Sequence, residues 1–151
     1  MTKAGQMSIG CVCLHVSTDA QKPFELSMPD GKGPYVVILL DMDAPFVSLP
    51  FLGPVLHWVQ SGFRSNSTAT LTSEGVPFIC DYVGPAPPPG SGPHRYCYFV
   101  YDQPADFDPK KFAPPNGQQF ALTKRMRTDL DAYERELNLG PILACNYYTS
   151  N

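Results

Sequence analysis

The run Tyr35-Val36-Val37-Ile38-Leu39-Leu40 constrains the fold more than any other stretch of the chain. Side chains alternate from face to face along an extended backbone, so a continuous apolar run rich in β-branched residues suits a central strand covered on both faces. It is the longest apolar stretch, yet far shorter than the roughly 18 residues a membrane span needs. It ends abruptly in Asp41-Met42-Asp43-Ala44-Pro45.

Other segments read as strands on the same grounds. They are Ile9-Gly10-Cys11-Val12-Cys13-Leu14-His15-Val16, then Val55-Leu56-His57-Trp58-Val59-Gln60, then His94-Arg95-Tyr96-Cys97-Tyr98-Phe99-Val100-Tyr101-Asp102, with 142–148 returning last. In the second of these, alternation puts Leu56, Trp58 and Gln60 on one side and Val55, His57 and Val59 on the other. The segment 81–93 holds five prolines and three glycines, cannot be helix, and is predicted to form a rigid irregular wall. Leu122, Met126, Leu130, Tyr133 and Leu137 recur at helical spacing and predict one amphipathic helix, stopped by Gly140-Pro141. Its interleaved charges, Arg125 among them, read as solvated surface. The expected fold is mainly β, one domain over residues 1–151, a size at which a chain builds its own core.

Charge narrows the function. A net charge of −3 gives no whole-chain field for nucleic acid or an acidic membrane. The polar start of the chain lacks the apolar core of a secretory signal, and no stretch reads as transmembrane, so a cytoplasmic protein is expected. The cysteines Cys11, Cys13, Cys80, Cys97 and Cys145 are odd in number and lack paired metal-site spacing, which favours reduced thiols over a metal site. Cys11 and Cys13 point to one face of a strand and read as core. No P-loop is present, so nucleotide hydrolysis has no support.

Asp41 and Asp43, one residue apart, could share a cavity edge if the extended geometry persists; crowding and burial would then raise at least one carboxyl pKa, a usual device for acid or base chemistry. Taken alone, an acid before a turn more often caps backbone N–H groups. His57 among apolar neighbours more often belongs to a core than to a site, and Trp58 more often packs than recognises a ligand. His94 falls where the wall meets a strand, and Tyr96 shares its face.

Taken in order, Asp41-Met42-Asp43-Ala44-Pro45, Leu56-His57-Trp58, Asp81-Tyr82-Val83-Gly84 with its Pro/Gly stretch, and Gly92-Pro93-His94-Arg95-Tyr96 resemble the phosphatidylethanolamine-binding protein family, and especially its compact fungal members. The resemblance runs from about residue 35 to 103, with a weaker tail at Leu139-Gly140-Pro141. It implies a central antiparallel sheet, a smaller second sheet, one or two peripheral helices, and an anion pocket at one sheet end. Asp41, Asp43, His57, Pro88, His94 and Tyr96 would line that pocket, with Ala86 where the family often has Gly and Trp58 at its flank. Protonatable histidines oriented by carboxylates could hold an anion, with affinity that depends on pH.

Three departures stand out. Met42 replaces the usual Pro, the segment 45–54 is strongly apolar, and the C-terminal helix of animal members is not recognisable, which predicts a more open site. The apolar segment would fold over the pocket mouth, pack beneath its own loop, or stand exposed as an unusual greasy patch. Two functions follow from the resemblance. One is a binding module for a small anionic ligand or organic acid that modulates a kinase or protease. The other is a cofactor-free enzyme of secondary metabolism, in which Asp41, Asp43, His57 and His94 assist cyclisation or dimerisation of an acidic or anhydride intermediate.

Overall fold

The structure is a computed structural model that describes residues 4–5, 13–15, 22–23, 25–28 and 33–151, the first two segments by their backbone alone. Its strands are β1 (Ala4–Gly5), β2 (Cys13–His15), β3 (Glu25–Ser27), β4 (Tyr35–Asp41), β5 (Val55–Ser65), β6 (Leu71–Thr72), β7 (His94–Asp102) and β8 (Ala144–Ser150). Three short helices, α1 (Pro109–Phe112), α2 (Leu122–Arg125) and α3 (Leu130–Glu136), lie between β7 and β8. The large sheet runs β1-β8-β7-β4-β5-β6 and the small one pairs β2 with β3, antiparallel throughout. The strand expected over 9–16 is seen at Cys13–His15; Cys11 and the Cys13 side chain lie outside the described residues.

Every residue of β4 is buried, as a strand flanked by β5 and β7 and covered on both faces must be. Tyr35, Val37 and Leu39 enter one core with Trp58, Tyr98, Val100 and Leu26 of the small sheet. Val36, Ile38 and Leu40 enter the other, with Leu56, Val59, Ile79 and Leu137, against which Leu130, Tyr133 and Phe120 also pack.

Two sequence expectations change. Leu56 and Trp58 fall in different cores because Leu39 pairs with Trp58 while Leu40 pairs with Leu56, leaving His57 as the extra residue of a β-bulge. A bulge reverses the alternation beyond it and re-aims the side chain it contains. The single helix over 122–137 is in fact two. Met126 is extended at its backbone and Arg127 adopts a positive φ of 55°, which breaks the chain between α2 and α3. That break leaves Leu122 63% exposed while Leu137 is buried.

Among the described residues no helix is long and apolar enough to cross a membrane.

Candidate functional site

The candidate site forms where β4 ends and β7 begins. Asp41, the last residue of β4, pairs with Tyr96, and His94 opens β7 two residues away. Alternation therefore places Asp41, His94 and Tyr96 on one face of the sheet. The bulge adds His57, whose ring meets Tyr96 edge-on at 5.1 Å between centroids. Tyr96 thus touches both imidazoles, with His94 stacked on it at 6.5 Å, and it also stacks on Tyr148 at 5.1 Å.

Each imidazole has a committed nitrogen. His94 Nδ1 lies 2.8 Å from Asp41 Oδ2, and Asp41 Oδ1 accepts the Asp43 backbone N–H at 2.9 Å. His94 Nδ1–H therefore donates to a carboxylate, which leaves Nε2 an acceptor in the neutral ring and a second donor once protonated. Nε2 is buried and has no hydrogen-bond partner. His57 Nδ1–H donates to the Val83 carbonyl at 2.7 Å, while Val83 N–H returns a bond to the His57 carbonyl at 2.9 Å. Burial drives the His57 pKa down, against the opposing pull of the Val83 carbonyl and Asp41. That imidazole is held neutral. The Tyr96 hydroxyl lies beside the Ala86 backbone and Asp41, and burial pushes its pKa up.

The two aspartates do not share one edge. Regular strand geometry stops at Asp41, and Asp43 turns to Arg95, taking its backbone N–H and Nε on Oδ2 at 2.8 and 2.9 Å and Nη2 on Oδ1 at 2.8 Å. This forked pairing holds the Asp43 carboxyl below its ordinary value, the reverse of the rise expected from crowded acids. Trp58 packs in the core against Phe63 and Tyr82. Ala86 and Pro88 are exposed on the wall, where the Pro88 carbonyl accepts the Ser91 N–H. The structure thus brings Asp41, His57, His94 and Tyr96 together and sets Asp43 and Trp58 to either side.

Two arginines escaped the sequence reading. Arg95 carries a signal in retrospect, since alternation puts it opposite His94 on the side to which Asp43 turns. Arg125 is 2% exposed rather than solvated. Its guanidinium grips the Asp81 carboxylate, and bonds to the Asp81 carbonyl at 3.0 Å, the Leu56 carbonyl at 3.3 Å and the Phe120 carbonyl at 3.1 Å. It therefore ties the wall to the bulged strand that carries His57. Burial raises the Cys80 and Cys97 thiols to about 12, which keeps both protonated and unreactive. Among the described residues no group of three His, Cys, Asp or Glu is arranged to hold a metal.

The cluster is tightly packed, with His94 and Tyr96 each 1% exposed. Grooves lie elsewhere too: one of about 440 Å³ between Glu134, Arg135 and Leu139, another of about 290 Å³ along Phe112, Phe120 and Lys124. The segment 45–54 leaves apolar side chains open to solvent. Phe46, Val47, Leu49 and Phe51 are 40–58% exposed, so they do not pack beneath their own loop.

Known proteins resemble this chain in sequence and fold. The family model for phosphatidylethanolamine-binding protein matches residues 8–135. Carboxypeptidase Y inhibitor of Saccharomyces cerevisiae is 29% identical over 134 residues, covering 80% of this chain and 61% of its own length. A crystal structure of carboxypeptidase Y inhibitor complexed with its cognate proteinase superposes with a TM-score of 0.63 at 26% identity, covering 85% of this chain and 70% of that one. Phosphatidylethanolamine-binding protein from Plasmodium vivax shares the fold at a TM-score of 0.61 and 16% identity, over 84% of this chain and 70% of its own. The chain spans between 43% and 61% of the length of the curated relatives it matches. With the family model matched over most of its length, the chain belongs to the phosphatidylethanolamine-binding protein family.

Proposed function

We propose that the chain is a binding module for a small oxyanion, a carboxylate or a phosphate monoester, held at the cluster of His94, Asp41, Tyr96 and His57. The observation that carries this reading is His94 Nε2, buried and without a partner on a ring whose other nitrogen is fixed by Asp41. A buried polar atom left unpaired costs about 1–3 kcal/mol, so a ligand that pairs it gains that much over solvent. An anion carrying a proton can donate to Nε2, and a bare anion can accept from it once the ring is protonated. His57, held neutral by burial, adds no second charge.

Calorimetric titration with inorganic phosphate, phosphoethanolamine and acetate tests this on either side of the range where imidazoles titrate, roughly pH 5.5 and pH 8. Binding should tighten at the lower pH, and His94→Ala should weaken it by about tenfold or more. Equal affinity of both forms, or no binding of any of the three, rules the reading out.

A second reading rests on the Asp41–His94 pair itself, because a carboxylate-oriented imidazole with a free nitrogen is also a general acid or base. Turnover of an acidic or anhydride metabolite that His94→Ala abolishes would favour the enzyme. Likeness to carboxypeptidase Y inhibitor further supports a protease as the protein partner. An inhibition titration against carboxypeptidase Y checks that directly.

A further inference from the structure

The connection between α1 and α2 folds around the groove of about 290 Å³. Phe112 and Phe120 line it, and both rings pack against the core of Val36, Ile38 and Leu137 while remaining partly open to solvent. The backbone around them is braced. Gly117 N–H bonds to the Pro114 carbonyl and Gln118 N–H to the Pro115 carbonyl, each at 3.1 Å, and both prolines fix their own φ. Phe120 is held through both of its backbone groups: its N–H donates to Asp81 Oδ1 at 2.7 Å and its carbonyl accepts Arg125 Nε at 3.1 Å. A groove secured in this way exists before a ligand arrives, so binding costs little ordering of the protein.

The chemistry of the lining is one-sided. Lys124 is the only charged residue on it, and its Nζ lies 5.9 Å from the centroid of the Phe120 ring. Residues 109–128 contain no acid, and the Asp81 carboxylate that meets Phe120 N–H is neutralised by Arg125. Among the described residues Lys124 makes no ion pair. Gln118 and Gln119 complete the rim with amides that can donate to an oxygen.

We infer that this groove is a second binding site, for a small aromatic carboxylate whose ring lies against Phe112 and Phe120 and whose carboxylate meets Lys124. Aromatic rings favour aromatic neighbours in stacked or edge-on contact, and the unpaired ammonium supplies the counter-charge. A cation would be repelled by Lys124, and a wholly apolar ligand would leave it unanswered. The volume stands at the low end of the roughly 300–1,000 Å³ of ligand pockets, which suits one or two fused rings. The inference is independent of the oxyanion reading, because none of Asp41, His57, His94 and Tyr96 lines the groove.

Titration with 1-naphthoate, followed by saturation-transfer NMR on the unaltered chain and on His94→Ala, tests it. The binding efficiency of a ligand of this size puts the dissociation constant at roughly 1 mM. His94→Ala should retain a site of that affinity. In the His94→Ala protein, Lys124→Gln should weaken binding about fivefold, and Ala121→Trp, which fills the groove from an exposed position, by about tenfold or more. Neutral 1-naphthalenemethanol should bind about fivefold more weakly than 1-naphthoate and be indifferent to Lys124→Gln. Both substituted positions are exposed, so thermal melting should not shift; if Ala121→Trp disturbs it, Lys124→Gln with the neutral ligand as control carries the same test. Absence of saturable binding up to about 10 mM, binding that disappears in His94→Ala, or binding indifferent to the groove substitutions overturns the inference. Equal affinity for the neutral ligand overturns it too.

Discussion

Replacing Arg125 by Met separates a buried strut from a solvated charge. The Arg125 side chain is 3% exposed and the Asp81 side chain 14%, and the pair is supplemented by bonds to the carbonyls of Asp81, Leu56 and Phe120. Removing one member of a buried pair costs about 3–5 kcal/mol, because the other charge stays behind without its partner. Asp81 keeps the Phe120 N–H at 2.7 Å and some solvent contact, so the low end, about 3 kcal/mol, applies. With a urea m-value of about 2 kcal/mol/M, the midpoint should fall by about 1.5 M, and Tm by roughly 6–12 °C. Arg135→Met is the control: Arg135 and Asp129 are 3.9 Å apart and 71% and 63% exposed, a geometry that contributes little. Urea unfolding followed by Trp58 fluorescence measures both. If Arg125→Met shifts the midpoint no further than Arg135→Met, the buried-strut account is wrong.

Acidification should destabilise the chain through His57, whose folded-state pKa lies below the ordinary 6.5. The unfolded ring takes up a proton first, so stability present above about pH 6.5 is lost as pH falls towards the folded value, at up to ~1.4 kcal/mol per pH unit; His57→Gln should flatten the urea midpoint against pH, and an unchanged slope refutes the assignment. Asp43, with its pKa lowered from 3.8, contributes stability that persists until pH falls below that value; Arg95→Met, at a largely exposed arginine, should cost only about 1 kcal/mol at neutral pH and shift acid unfolding upward. At Gly62, φ is +76° and an added Cβ would lie 2.6 Å from Val76 Cγ2, so Gly62→Ala should cost about 2 kcal/mol or more, read by thermal melting.

The central strand was legible because burial on both faces writes itself as an unbroken apolar run, and β7 because its turn signals sit at its ends. The face of Trp58 was not legible. A bulge inserts one residue without any local signature at Leu56-His57-Trp58, and every alternation argument downstream inverts. The helix over 122–137 failed for a related reason. Apolar spacing continues through Met126, but the positive φ at Arg127 is set by tertiary bonds to Leu52 and Phe51 that no local pattern records. Arg125 was misplaced with it, since a charge at the margin of an apolar stripe looks solvated until its buried partner, 44 residues away, is known.

The site residues were found by their order along the chain, yet their roles came from pairing. Asp41 and Asp43 differ by one residue, but Asp41 is held within β4 and can only face His94, whereas Asp43 lies past the strand end and closes on Arg95. The bulge has the complementary effect on β5. It turns the His57 ring toward Tyr96, while the His57 carbonyl accepts the Val83 N–H at 2.9 Å and Arg125 Nη1 at 3.5 Å and His57 Nδ1–H donates to the Val83 carbonyl. Backbone and ring of His57 are thus both tied to the wall, and the ring meets Tyr96, which stacks on His94 and Tyr148. Loosening Arg125 should therefore reach the oxyanion cluster through the His57 backbone and weaken ligand affinity. Phosphate titration on the Arg125→Met protein, compared with the unaltered chain below its lowered melting temperature, checks this, and an unchanged affinity would show that the cluster does not depend on the strut.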